Sequence, residues 1–245
     1  MRFRCSRYPE LGVPDMLPAA PPFIDRSQAG HELADRLGFL AGREDLTVVG
    51  LAPGGVPVAA ELAEALDAAL EVMVVRPLIV PGPSELSVGA VTSGGTRSVD
   101  LPAVERYHLP SWAPGYLADV EEQEALREEN LVRDHAAPPD LHGRTVVIVD
   151  DGLSSRAELL AAAEEALVQV PAKLIVASPV LADPVADELH SLGVELGCVF
   201  ADEVERRGAG PFWYADTSLL KPAAIRGLLG SARRRSHWRD EVANA

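Results

Sequence analysis

Cysteine, positive charge and long apolar runs are scarce in this chain of 245 residues, and each of these shortages argues against a class of site or partner. The two cysteines lie far apart, without neighbours at metal-ligand spacing, so we expect neither a disulfide framework nor a zinc site. The 22 basic residues are outnumbered by 37 acidic residues, which gives a net charge of −15. Because nucleic-acid binding needs clustered lysine and arginine to neutralise phosphates, this balance argues against nucleic acid as a partner.

No apolar run approaches the roughly 18 residues that cross a bilayer, and the N-terminus carries no apolar signal segment. We therefore expect no membrane partner and a cytoplasmic location. The hydrophobic fraction of 47% is high enough for a sizeable core, so the chain is predicted to be globular.

Apolar runs of strand length alternate with helical patterns through most of the chain. Runs suited to buried strands occupy residues 47–52, 70–76, 145–149, 173–179 and 194–200. Helical patterns separate them, and a first one contains Ala29, Leu33, Leu37 and Leu40 at helical spacing. This order predicts an α/β fold with a mostly parallel sheet of about five strands.

The distribution of proline and glycine indicates where the predicted α/β domain begins and ends. The proline-rich residues 1–22 are predicted to form an extended N-terminal arm, residues 23–220 the domain, and residues 221–245 a C-terminal tail. Within the domain, residues 77–116 are rich in proline and glycine and contain two short alternating segments around the turn Ser93-Gly94-Gly95. We interpret that segment as a flexible hairpin excursion from the sheet.

Two adjacent carboxylates, Asp150 and Asp151, follow the apolar run at residues 145–149 and precede a helical pattern. Ligands of open parallel sheets bind outside the carboxyl ends of the strands, which is where this order places the pair. Neighbouring acids at such a point bind polyol hydroxyls or a divalent cation, or they cap the following helix. The residues alone leave these three roles open.

A second loop of the same kind contains Pro53, Gly54 and Gly55, between the apolar run at residues 47–52 and a helical pattern. Glycines between a strand and a helix allow the backbone to approach an anion closely, although they also occur in ordinary tight turns. The Ala52–Pro53 bond precedes proline, for which the cis form costs far less than before other residues.

These segments together resemble the type I phosphoribosyltransferases. The run Val149-Asp150-Asp151-Gly152-Leu153 resembles the family's ribose-phosphate signature, and residues 50–59, G-L-A-P-G-G-V-P-V-A, are similar to a bacterial subgroup's pyrophosphate loop, L-P-R-G-G-V-P-V-A. Residues 74–91 are similar to the segment that begins the subgroup's flexible region, and Phe212-Trp213-Tyr214-Ala215-Asp216 to part of a small hood. The resemblance implies a three-layer sandwich with a hairpin excursion and a small hood. It also implies a cis Ala52–Pro53 bond if the pyrophosphate loop keeps the family's geometry.

The resemblance also implies an activity: transfer of 5-phosphoribosyl from its 1-pyrophosphate donor to a base-like acceptor, with Mg²⁺ as cofactor. It implies that Asp150 and Asp151 are the catalytic pair, holding the ribose hydroxyls and contacting the metal only indirectly. The implied donor-binding residues are Pro53, Gly54 and Gly55 for the pyrophosphate, and Gly152, Leu153, Ser154, Ser155, Arg156 and Ala157 for the 5-phosphate. The implied partner is this small-molecule donor or a nucleotide-like ligand, and a homodimer is compatible with the family.

The chain departs from the pattern where charge matters. Arg156 stands where the family has glycine, Glu158 where it has threonine, and Pro53 where the subgroup has arginine. Like charges a few ångströms apart repel by about one to several kcal/mol, so Glu158 opposes a phosphate at this loop. Three interpretations remain: an enzyme with an altered donor site, a degenerate binding or regulatory protein, and an unrelated α/β protein whose aspartates bind metal.

Overall fold

The computed structural model describes residues 22–82, 86–181, 183–200 and 213–243. Residues 1–21 of the predicted arm, and Phe212 of the predicted hood, lie outside these ranges. The helices are α1 (Arg26–Leu37), α2 (Gly55–Ala65), α3 (Leu101–Arg106), α4 (Ala113–Arg133), α5 (Arg156–Val168), α6 (Asp183–Ser191) and α7 (Pro222–Ala243). The strands are β1 (Leu46–Ala52), β2 (Ala69–Val80), β3 (Leu86–Thr92), β4 (Arg97–Val99), β5 (Thr145–Val149), β6 (Lys173–Val180) and β7 (Glu195–Phe200).

The strands form one sheet in the order β4-β3-β2-β1-β5-β6-β7. Five neighbouring strands are parallel to one another, namely β2, β1, β5, β6 and β7, which confirms the predicted α/β class. The predicted count of about five is too small, because β3 and β4 add two antiparallel strands beside β2. The hairpin therefore extends the sheet, since β2 continues to Val80 and offers β3 an edge to pair with.

Helices cover both faces of the parallel strands. On one face, Val48 and Val147 pack into a core that includes Leu33 of α1 and Leu62 of α2. On the other face, Val49 and Ile148 pack against residues of α5 and α6. The fold is therefore a three-layer sandwich, and β1 and β5 lie at its centre because their apolar residues are buried on both faces.

The C-terminal segment, predicted as a tail, forms a helix that packs on the domain. This helix, α7, packs against α4, β2 and α2, and Ile225 and Leu229 are buried in the same core as α2. The hairpin is also held: the carboxylate of Glu165 on α5 accepts hydrogen bonds from the hydroxyls of Thr92 and Thr96. Both additions pack on the sheet and leave its carboxyl edge to the loops after β1 and β5.

The structure bears on two expectations that were drawn from the small number of cysteines and the short apolar runs. Cys198 is disulfide-bonded in the structure, contrary to the expectation of no disulfide, while Cys5 lies outside the described residues. Among the helices of the described residues, none combines the length and apolarity that crossing a membrane requires.

Candidate functional site

The loops after β1 and β5 meet at the carboxyl edge of the sheet, as their sequence positions predict. The two strands are neighbours and parallel, so both loops leave the sheet at the same edge. Between them and β2 lies a cavity of about 650 Å³, which we call the cleft. Its lining includes Pro53, Gly54, Gly55, Asp150, Asp151, Leu153 and Ser154 from the predicted set, and also Arg26, Arg76, Glu128 and Glu158.

The contact between the two loops requires glycine at two positions. A Cβ atom on Gly55 would lie 2.3 Å from the carbonyl oxygen of Val149, and one on Gly54 would lie 2.2 Å from Oδ2 of Asp151. Any larger residue would push the loops apart. The Ala52–Pro53 bond that precedes these glycines is cis, as expected from the sequence.

Asp151 is held by an arginine that the sequence motifs do not include. Nε and Nη2 of Arg26 both lie 2.8 Å from Oδ2 of Asp151, and both side chains are almost fully buried. The guanidinium lies 4.9 Å from the ring centroid of Tyr214, whose hydroxyl donates to the backbone carbonyl of Asp151. A buried carboxylate that accepts a hydrogen bond from a guanidinium, forms an ion pair with it, and has an aromatic ring beside that guanidinium is a fixed negative group.

Asp150 lies in a different environment, although it is adjacent in sequence. Its Oδ2 accepts the N–H of Gly152 at 2.7 Å and its Oδ1 accepts the hydroxyl of Ser154 at 2.5 Å. Burial raises the pKa of Asp150 to about 7, and the charge of Asp151 acts in the same direction while the two hydrogen bonds oppose it. A carboxyl poised in this way can gain or lose its proton when a ligand enters.

In the loop after β5, the backbone N–H groups donate hydrogen bonds to carboxylates of the loop itself and of the first turn of α5. Besides Gly152, Leu153 donates its N–H to Oδ1 of Asp151 at 3.1 Å, and Ser155 donates its N–H to Oε2 of Glu158 at 2.8 Å. The hydroxyl of Ser155 accepts the N–H of Glu158 in return, so the two residues form a capping box at the start of α5. Three N–H groups of the predicted 5-phosphate loop are therefore already hydrogen bonded to carboxylates.

Arg156, predicted as a donor ligand, is directed away from the cleft. Its guanidinium pairs with Glu188 of α6 through two hydrogen bonds, and Arg156 is not among the residues that line the cleft. Gly152, Ser155 and Ala157 of the predicted set are not in the lining either. Their ligand roles stay predictions, and the residues that the structure brings together are the two aspartates, the glycine loop, Leu153 and Ser154.

Two residues of the site were not predicted in their observed roles, for different reasons. Arg26 stands at the first position of α1, where nothing local indicates that its partner lies 125 residues away. Glu158 carries a local signal, because Ser155-x-x-Glu158 before an apolar run is the signature of a capping box. Arg76 also lines the cleft, and it pairs with Glu121 at 2.6 Å and with Glu128 at 3.3 Å.

The aspartate pair does not form a metal-binding cluster by itself. The described residues contain no group of three or more histidine, cysteine or carboxylate side chains that could hold a metal ion. Each side-chain oxygen of Asp150 and Asp151 already accepts a hydrogen bond. This donor set fits a ligand that brings its own cation better than a protein-ligated metal.

This chain is similar in sequence and in structure to known proteins. A family model described as "Phosphoribosyl transferase domain" matches residues 25–205. Two proteins of Mycobacterium tuberculosis, "Putative phosphoribosyl transferase MT0597" (strain CDC 1551 / Oshkosh) and "Putative phosphoribosyl transferase Rv0571c" (strain ATCC 25618 / H37Rv), are each 36% identical over 177 residues. The match covers 72% of this chain but only 40% of each relative. The crystal structure of TT1426 from Thermus thermophilus matches with a TM-score of 0.65 and 29% identity, over 84% of this chain and 97% of that one.

Proposed function

Because this chain belongs to the phosphoribosyl transferase domain family, we propose that its cleft binds a ribosyl 1-pyrophosphate and transfers the ribosyl group to a base-like acceptor. In the family that the motifs resemble, this donor is 5-phosphoribosyl 1-pyrophosphate. The observation that carries the proposal is the meeting of the glycine loop after β1 with the aspartate pair after β5 across one cleft.

In this proposal each loop has one task. The ribose hydroxyls donate hydrogen bonds to Asp150 and Asp151, and the pyrophosphate lies at the start of α2, beside Gly54 and Gly55. The bond between ribosyl C1 and the pyrophosphate oxygen breaks, and pyrophosphate leaves with the electron pair. A bond from C1 to an acceptor nitrogen forms, and that nitrogen releases its proton to water. The positive charge that develops on the sugar favours a site with fixed carboxylates.

Magnesium enters the proposal with the donor rather than as a resident ion. The oxygens of the aspartate pair already accept hydrogen bonds, so Asp150 and Asp151 would hold it only indirectly, through ribose hydroxyls or water. When bound with the donor, the ion would neutralise part of the pyrophosphate charge. The protein's own contribution is to fix the position of the ribose.

A second candidate function is a binding protein without catalysis. Glu158, which lines the cleft and occupies the N–H of Ser155, favours it, because this carboxylate opposes a phosphate at that loop. The two candidates predict different products. A transferase releases pyrophosphate in the presence of an acceptor, whereas a binding protein holds its ligand and releases none.

Titration calorimetry tests the proposed binding. The full chain is titrated, with magnesium, with 5-phosphoribosyl 1-pyrophosphate and with ribosyl 1-pyrophosphate. We expect at least one donor to bind, and we expect Asp150→Asn to weaken that binding about tenfold or more, because it removes a charged acceptor of ribose hydroxyls. Asp140→Asn is the matched control, since Asp140 is exposed and does not line the cleft.

Pyrophosphate release, measured with a panel of nitrogenous bases, then separates the enzyme from the binding protein. Release that depends on both an acceptor and Asp150 supports the transferase. Binding without release from any base supports the second candidate. If neither donor binds, the cleft is not a ribosyl site and the proposal is wrong.

A further inference from the structure

The two helices that begin at the cleft have N-termini in opposite states. Helix α5 begins with the capping box of Ser155 and Glu158, so a carboxylate of the protein already occupies its N-terminus. Helix α2 begins at Gly55 after Gly54, and within the described residues no side chain caps it. Free N–H groups and the helix dipole favour an anion at α2, whereas at α5 the protein supplies its own.

The charges that line the cleft follow the same division. Two arginines and four carboxyl groups line it, and the carboxyl groups of Asp150, Asp151 and Glu158 all belong to the loop and first turn at α5. The nearest cations do not offset a further anion there. Arg26 is paired with Asp151, and Arg156 is paired with Glu188 outside the lining.

Arg76 does not supply a free cation to the cleft, because it pairs with Glu121 and with Glu128, which also lines the cleft. It extends from β2, the strand beside β1, and it lines the cleft together with Pro53, Gly54 and Gly55. The N-terminus of α2 is therefore the part of the cleft that is open to an anion, whereas the N-terminus of α5 already carries the carboxylate of Glu158. A ligand with one anionic end fits this arrangement, and a ligand with two anionic ends does not.

We infer that the cleft takes a ribosyl ligand whose C5 carries an uncharged group such as a hydroxyl, and that Glu158 determines this specificity. The inference rests on the proposed function and names its substrate class. A C5 hydroxyl can donate a hydrogen bond to the carboxylate of Glu158 without breaking the capping box. A C5 phosphate is mostly an acceptor at neutral pH, and it would have to displace Glu158 from the N–H of Ser155.

The test compares ribosyl 1-pyrophosphate with 5-phosphoribosyl 1-pyrophosphate, each with magnesium, by calorimetry on the full chain. We expect the wild type to bind the donor without the C5 phosphate at least about tenfold more tightly. Glu158→Gln keeps an oxygen for the N–H of Ser155 but removes the charge, and we expect it to reduce this preference about fivefold or more. Glu164→Gln is the matched control, because Glu164 lies on the same helix and does not line the cleft.

Each outcome decides something. Equal or tighter binding of the phosphorylated donor by the wild type overturns the inference and leaves the proposed function intact. A preference that Glu158→Gln leaves unchanged overturns the role of Glu158. Should neither donor bind either protein, the proposed function is wrong and the inference with it. A variant that fails to fold is replaced by a salt series on the wild type, in which the preference must shrink as salt screens the carboxylate.

Discussion

The two ends of strands β1 and β5 carry carboxylates in opposite surroundings. At the amino ends, Asp45 accepts hydrogen bonds from Arg43 and from the hydroxyl of Thr145, and its side chain is 40% exposed. At the carboxyl ends, Asp150 and Asp151 are 1% and 4% exposed, although both line the cleft. The same two strands thus hold one carboxylate in solvent and two in the interior.

Their pKa values differ accordingly. The hydrogen bonds from Arg43 and Thr145 lower the pKa of Asp45 to about 2, whereas burial raises the pKa of Asp150 to about 7. Asp45 stabilises the sheet at little cost because water still reaches it. Two buried acids side by side cost free energy of folding, and proteins keep such pairs mainly where a ligand uses them. The comparison therefore identifies the carboxyl edge as the functional one.

The largest loss of stability is expected from replacing Arg26, the buried cation that pairs with Asp151. Arg26→Met leaves Asp151 buried without its partner, and we expect it to lower the free energy of unfolding by about 3–5 kcal/mol, measured in urea. Arg43→Met is the control at the opposite edge, where the pair is exposed and the loss should be small because water and salt screen it.

A double variant separates charge from packing. Arg26→Met combined with Asp151→Asn should recover part of the lost stability, because the uncompensated charge is gone. Equal losses for Arg26→Met and Arg43→Met would contradict the distinction between the two edges.

The second effect concerns the contact between the loops. Gly55→Ala places a Cβ atom 2.3 Å from the backbone oxygen of Val149, which cannot rotate away. We expect a loss of about 1–3 kcal/mol in unfolding free energy, together with weaker ligand binding as the loops separate. Gly115→Ala in α4 is the control: its Cβ would meet nothing within 4 Å, so the change should be neutral or stabilising. A neutral Gly55→Ala would show that the loops can move apart freely.

Local sequence predicted the strands well and failed where a pattern was interrupted. The apolar runs of β1 and β5 indicate buried parallel strands directly. Strand β2 continues past its predicted end at Arg76, because Pro77 breaks the alternation but not the strand. The pairing with β3 absorbs the proline through a register shift between Pro77 and Ile79. No single-sequence rule distinguishes this from a strand that stops at the proline.

Some residues of the site could likewise be predicted from short local motifs, whereas others depend on contacts between distant parts of the chain. Asp150, Asp151, Gly54 and Gly55 belong to short motifs, so sequence could place them at one edge. Arg26 could not be found, because its partner is distant in the chain and its position in a helix suggests an exposed side chain. The geometry of folding, rather than any pattern, brings this arginine into the interior.

The third effect is on donor binding. We predict that Arg156→Gly with Glu158→Thr improves binding of 5-phosphoribosyl 1-pyrophosphate about tenfold, which corresponds to about 1.4 kcal/mol. The pairing of Arg156 with Glu188 outside the cleft assigns most of this gain to Glu158. Calorimetry on the two single variants checks that division: Arg156→Gly alone should change little, and a weaker complex with the double variant would mean that Arg156 is a phosphate ligand.

The last prediction compares the two edges through the pH dependence of stability. Asp45 has a lowered pKa, so its contribution to stability is present above pH 3.8 and is lost as the pH falls toward about 2. Asp150 has a raised pKa, so its contribution is present below pH 3.8 and is lost as the pH rises through about 7. The two aspartates thus give the unfolding free energy opposite pH trends.

Urea unfolding of Asp45→Asn and Asp150→Asn between about pH 2 and 8 measures these trends. Relative to the wild type, Asp150→Asn should gain stability as the pH rises from about 4 to 7, because the variant has no buried proton to lose. Asp45→Asn should lose its disadvantage only at the acid end, and by a small amount, since water screens its ion pair. Parallel pH profiles for the two variants would mean that both carboxylates are in similar surroundings, and the contrast between the edges of the sheet would no longer identify the site.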